Sequence, residues 1–126
     1  MNKFPKINFI GNKEKIAKWI TDYFPKDAES VFDAFSGGSS VSYQSKMKGL
    51  KVISNDILEI NHLLSKALIE NNSTKLTYDD VELIFSGEPK EGFMFNNYSE
   101  VFFFPNECKD LDLYRENIEK LDSDYK

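Results

Sequence analysis

FDAFSGGSS, residues 32–40, carries an apolar, β-prone run into an acid, through two glycines and out into a helical pattern. A second apolar run, KVISN, follows and delivers another acid, Asp56, nineteen positions after Gly37. Working outward, residues 30–35 read as a short buried strand and residues 40–47 as a helix stopped by Gly49. Residues 51–55 read as a second strand. Ile60, Leu63, Leu64, Ala67 and Leu68 mark a helix over 59–71. Strand, helix, strand, helix in that order predicts an α/β chain with a parallel sheet and a right-handed crossover.

Such a strand-to-helix turn is where α/β proteins hold ligands. Gly37 and Gly38 permit a tight turn and close backbone approach, and an acid at the end of the next strand can accept from ribose hydroxyls. The letters exclude two relatives of this arrangement. A dinucleotide turn reads GxGxxG, and no third glycine stands at the required offset. A phosphate-cradling loop ends in GK[ST], and no lysine follows before Lys46. A nucleoside ligand without phosphates fits better, and S-adenosylmethionine is the common one. An ordinary turn of small residues, with Asp56 as a helix N-cap, accounts for the same letters.

Composition bounds the alternatives. The 126 residues suffice for one domain, divided here into a β/α part at 1–71 and a mostly helical part at 72–126. Hydrophobic residues make up 40% and charged residues 29%, as in a folded globular chain. No apolar run approaches the roughly 20 residues of a membrane span, and the lysine-bearing N-terminus lacks the apolar stretch of a signal peptide. The single cysteine, Cys108, fits a reducing cytoplasm and a buried thiol. Net charge is −5, unevenly spread: residues 1–51 carry nine Lys and five acids, residues 52–126 seven Lys or Arg and sixteen acids. A basic first half is compatible with phosphate contact, though weaker than the footprint of a dedicated DNA-binding domain.

Elsewhere, Ile16, Trp19, Ile20 and Tyr23 predict a helix over 12–24, closed by Pro25. Thr77 is placed to cap a short helix bearing Val81, Ile84 and Phe85, ended by Gly87. Residues 88–99 read as turns, with Asn96-Asn97 at a turn. The one strand candidate after residue 71 is 101–104. Asn106 is placed to cap a last helix with Leu111, Tyr114, Ile118 and Leu121 inward. Asp79, Asp80 and the acids from Asp110 onward read as a solvated face without metal-ligand spacing. His62 reads as a surface or half-buried side chain.

Taken in order, these segments resemble the N-terminal part of the D12-class DNA adenine N6-methyltransferases. Residues 7–16, INFIGNKEKI, look like the family's N-terminal motif, VFDAFSGGSSV like its FxGxG cofactor motif, and KVISNDI like the strand carrying the ribose acid. Residues 102–121 look like the helical stretch that precedes the catalytic segment in some members. The resemblance implies a partial Rossmann-like S-adenosylmethionine-dependent methyltransferase fold with added helices. It implies S-adenosylmethionine as cofactor, double-stranded DNA as substrate and a role in restriction-modification. By the same resemblance Gly11, Asn12 and Lys13 would sit near the methionine end of the cofactor. Asp33, Phe35, Gly37 and Gly38 would form the floor and turn of the pocket. Asp56 would hold the ribose, and Ile57 would pack on the adenine.

Two departures stand out. Ser39 replaces the second glycine of FxGxG, a substitution that fits if the site does not need positive φ. The catalytic D/N-P-P-Y/F/W tetrapeptide does not occur, since Pro5, Pro25, Pro89 and Pro105 are all isolated. The expected function is therefore the cofactor-binding portion of a DNA adenine methyltransferase, inert by itself. The alternatives are the small subunit of a split enzyme completed by a catalytic partner chain, and a non-catalytic nucleoside-binding module.

Overall fold

A computed structural model describes Phe4, Pro5, Ile7 and residues 10–126. Two compact units divide them, Met1–Ser73 and Thr74–Lys126.

The first unit is built on two parallel strands, β1 (Ser30–Asp33) and β2 (Lys51–Ser54), in register from Ser30 against Lys51 to Asp33 against Ser54. Between them runs α2 (Ser40–Met47), packed on both strands. Its contact face is made of small polar residues: Ser42 and Ser45 are fully buried. Small side chains let the helix approach the strands closely, and their hydroxyls need partners there. Ser42 Oγ donates to Asp33 Oδ2 at 2.6 Å, and Ser54 Oγ donates to Ser42 Oγ at 2.9 Å. Gly49, at φ +85°, ends α2 and turns the chain into β2.

Before β1, a 3-10 turn (Glu14–Ile16) leads into α1 (Ala17–Asp22), which packs on α2. The helix falls where its apolar spacing predicted, but its face differs. Ala17 and Thr21 are buried, while Ile16, Trp19 and Tyr23 are exposed. After β2, α3 (Glu59–Ser65) passes into one π-helical turn (Lys66–Glu70). Lys46, on α2, donates to the carbonyls of Leu68, at 3.2 Å, Ile69, at 2.7 Å, and Asn71, closing that turn. Burial pulls the Lys46 pKa below the ordinary lysine value.

The second unit holds α4 (Tyr78–Phe85), α5 (Phe93–Tyr98) and α6 (Pro105–Ile118), with α6 packed on both others. Thr77 caps α4 as expected, in a reciprocal box: Asp80 N–H donates to Thr77 Oγ1 at 3.2 Å, and Thr77 N–H donates to Asp80 Oδ2 at 2.7 Å. Three readings of this region are corrected. Asn96 and Asn97 lie in helix α5, not in a turn. Residues 101–104 form a turn with an isolated bridge from Ser99 to Phe103, so the sheet among the described residues has two strands. The last helix starts at Pro105, with Glu107 accepting the Phe104 N–H at 3.0 Å, rather than from an Asn106 cap. Its inner face carries Cys108, Asp112, Leu113 and Asn117; Leu111 and Ile118 are exposed.

Asp112 explains the α5 helix. Its buried carboxylate accepts from the backbone N–H groups of Gly92, Met94 and Phe95 at 3.0, 2.8 and 2.9 Å. Those are the free donors at the start of α5. Burial pushes the Asp112 pKa up, but the three amides outweigh it and hold the carboxyl below its ordinary value. Gly92 leaves room for this contact: a Cβ there would lie 2.7 Å from Asp112 Cγ. Asp112 and Asp80 were both expected on a solvated face. Asp112 is instead buried, and Asp80 is partly buried and paired with Lys126 at 2.9 Å.

Candidate functional site

The carboxyl ends of β1 and β2 are joined by hydrogen bonds between the segments that follow them. Asn55 N–H donates to Asp33 O, and Ser36 N–H donates to Asn55 O, both at 2.9 Å. Asn55 Nδ2 adds a bond to Ala34 O at 3.0 Å. The chain then turns through Gly37 (φ +50°) and Ser39 (φ +62°), with Ser39 N–H on Ser36 O at 2.8 Å. Gly37 N–H donates to Asp56 Oδ2 at 2.8 Å. The glycine turn and the distant acid, joined in the sequence only by spacing, are in direct contact. In α/β proteins, ligands bind outside the carboxyl ends of parallel strands, and this contact lies there.

Asp56 has further partners. Its Oδ1 accepts from Leu58 N–H at 3.0 Å and from Asn61 Nδ2 at 2.9 Å. The bond to Leu58 closes an Asx turn ahead of α3; the N-cap of that helix is Leu58, without a side-chain cap, so Asp56 is not the N-cap that its position suggested. The Asn61 amide, then the N–H groups of Leu58 and Gly37, hold the Asp56 carboxyl below the usual carboxylate range. An ionised carboxylate offers about four acceptor positions. The backbone of Ile57 adds a fourth, weaker bond, so a ribose hydroxyl would share the carboxylate with these donors.

Ser39 adopts the left-handed conformation that a glycine takes without cost. The condition under which serine would simply substitute is therefore not met. The strain is offset by a fully buried hydroxyl, Ser39 Oγ, 2.7 Å from Ser65 Oγ on α3. Ser36 Oγ lies 3.4 Å from the same Ser65 oxygen. These serines tie the glycine turn to α3. Asn61 and Ser65 are the supporting residues that sequence reasoning missed. Their one signal was a polar residue on the same helix face as Leu64 and Leu68, which is weak without knowing which face is buried.

The other expected site residues divide into two groups. Asp33 lies at the end of β1 with Oδ2 engaged by Ser42, and Gly38 is buried within the turn. Phe35 and Ile57 follow the two strands and are 90% and 97% exposed, so each side chain is open to an incoming planar group. Gly11, at φ +82°, Asn12 and Lys13 instead precede α1. Asn12 Oδ1 accepts from Glu14 N–H at 3.0 Å, while its Nδ2 donates to Ile7 O at 3.0 Å. Lys13 Nζ folds onto Gly11 O at 2.6 Å. The two motifs meet at a hollow of ≈ 150 Å³ between α1 and α2, bordered by Glu14 and by Ser40 at the exit of the glycine turn. Asn8 and Phe9 of the N-terminal motif lie outside the described residues. Among the described residues no cluster of His, Cys, Asp and Glu has the arrangement of a metal site. No described helix is long and apolar enough to cross a membrane.

Comparison with known proteins gives one family and several relatives. The family described as D12 class N6 adenine-specific DNA methyltransferase matches residues 9–125. The type II methyltransferase M2.HphI of Haemophilus parahaemolyticus is 56% identical over 124 residues, covering 98% of this chain and 37% of the relative. M.CviAII of Paramecium bursaria Chlorella virus 1 is 27% identical over 129 residues, covering 92% of this chain and 39% of the relative. M.FokI of Planomicrobium okeanokoites is 30% identical over 113 residues, covering 86% of this chain and 16% of the relative. The chain thus spans well under half the length of each. No solved structure matches it.

Proposed function

The chain belongs to the D12 class N6 adenine-specific DNA methyltransferases, and from that premise we propose that it is the S-adenosylmethionine-binding part of such an enzyme. In the proposed reading the region beyond the carboxyl ends of the two strands holds the adenosyl group. Asp56 accepts a ribose hydroxyl, Phe35 and Ile57 flank the adenine, and the fold is a Rossmann-like methyltransferase sheet of which β1 and β2 are two strands. The observation that carries this reading is the 2.8 Å bond from Gly37 N–H to Asp56 Oδ2. It sets the glycine turn against the acid that, in this reading, takes the ribose.

The methionine end is assigned to the Gly11–Lys13 turn. Lys13 reaches a methionine carboxylate in this reading by exchanging its bond to Gly11 O for a charge-assisted one. The 126 residues contain no D/N-P-P-Y/F/W tetrapeptide. Transfer of the methyl group to adenine in DNA therefore requires a polypeptide segment that carries it, and the 126 residues alone are inert. The type II relatives favour a restriction-modification setting. A ligand-dependent thermal melt tests the cofactor class. S-adenosylmethionine and S-adenosylhomocysteine are expected to raise the melting temperature while NAD does not. The reverse preference would place the chain with dinucleotide-binding proteins.

A further inference from the structure

We infer that Asn61 is the positioning residue for Asp56, fixing the direction in which that carboxylate meets a ribose. The inference rests on the cofactor reading above. Asn61 lies on α3, five residues after Asp56, and is only 1% exposed. Its Nδ2 donates to Asp56 Oδ1 at 2.9 Å. Its Oδ1 is a buried polar atom with no hydrogen-bond partner.

That orphan oxygen is informative. A buried unpaired acceptor costs free energy, about 1–3 kcal/mol in general. Rotating the amide would not relieve it, because Oδ1 would then face the Asp56 carboxylate oxygen. A residue kept only for packing would serve better as an apolar side chain of similar volume. The amide is retained where it is needed for one bond, the one to Asp56.

The consequence for the carboxylate is geometric. With Leu58 N–H and Asn61 Nδ2 on Oδ1, and Gly37 N–H on Oδ2, rotation about the Cβ–Cγ bond is blocked from three directions. Held so, the carboxylate meets an incoming hydroxyl in one orientation. Preorganisation of this kind lowers the ordering cost of binding. Leu58 and Gly37 supply backbone donors, so Asn61 is the side chain through which the orientation can be altered.

The test compares two ligands on native, Asn61→Leu and Asp56→Ala chains: S-adenosylhomocysteine and its 2′,3′-dideoxy counterpart. Native protein is expected to prefer the diol-bearing ligand. Asn61→Leu is expected to weaken that ligand about tenfold, leave the dideoxy ligand unchanged, and unfold at a urea concentration no lower than native. Should leucine not fold, Asn61→Ser carries the same expected loss of preference. Equal weakening of both ligands would overturn the inference, since a merely structural residue acts on both. A lost preference in Asp56→Ala with an intact one in Asn61→Leu would overturn it too, leaving the cofactor reading in place. An intact preference in Asp56→Ala, or no binding by folded native chain, would overturn the cofactor reading and this inference with it.

Discussion

Ser39 shows how one side chain can occupy a site that favours glycine. Its left-handed backbone is offset by a buried hydroxyl bond to Ser65, so the residue is strained and useful together. The two contributions can be separated. Ser39→Ala keeps the strain and leaves the Ser65 hydroxyl without its shortest partner; the expected loss is about 1–2 kcal/mol. Ser39→Gly loses the same bond but relaxes the backbone, and is expected to fall within about 1 kcal/mol of native. Urea denaturation followed by circular dichroism reads both. Equal losses in the two variants would mean that the backbone is not strained. The FxGxG resemblance located this position, but its φ could not be read from the letters. The conformation of one residue depends on the turn around it.

At the scale of elements, helix α5 depends on a carboxylate from another helix. Asp112→Ala is expected to cost about 2 kcal/mol and to speed amide exchange at Met94 and Phe95 first. Gly92→Ala should do likewise by displacing the same carboxylate. Unchanged exchange in both variants would count against this cap. The helix was not legible in the sequence because its N-terminal partner lies twenty residues further on. The Thr77 cap on α4 was legible because it stands directly before the apolar run it starts, whereas its box with Asp80, expected on a solvated face, came only with the structure. Strand and helix order across residues 30–71 was legible for the same reason: periodicity and glycine stops are local. Helix faces were not. In α1 the inner side belongs to Ala17 and Thr21, since a close helix contact selects small residues over Trp19 and Tyr23. In α6 polar residues turn inward because they bond neighbouring segments: Asn117 Nδ2 donates to Ile84 O and Ser86 O at the carboxyl end of α4.

The α4 cap also sets an acid limit. Bonds from the Thr77 backbone, then Lys126 and the Thr77 hydroxyl, lower the Asp80 pKa from its ordinary value to about 2. A depressed carboxyl contributes stability above its unfolded pKa and loses it as pH falls through the folded one. Stability of the second unit should therefore decline from about pH 4 toward pH 2, and Asp80→Asn should flatten that decline. Thermal melts across this interval check it; identical pH slopes in native and variant would contradict it.

For the whole molecule, the two-stranded sheet is the controlling fact. Phe32 and Ile53 point from one face of it and are 62% and 54% exposed. Two strands alone are marginally stable in water, and a bound nucleoside adds to stability by binding only the folded state. The family, the paired strand ends and the Gly37–Asp56 contact all support the proposed cofactor site. Calorimetric titration of native chain and Asp56→Ala with S-adenosylmethionine tests that claim most directly. The expected result is one site per native chain and none in the variant. Absence of heat from native chain shown to be folded, or equal binding by Asp56→Ala, would contradict it.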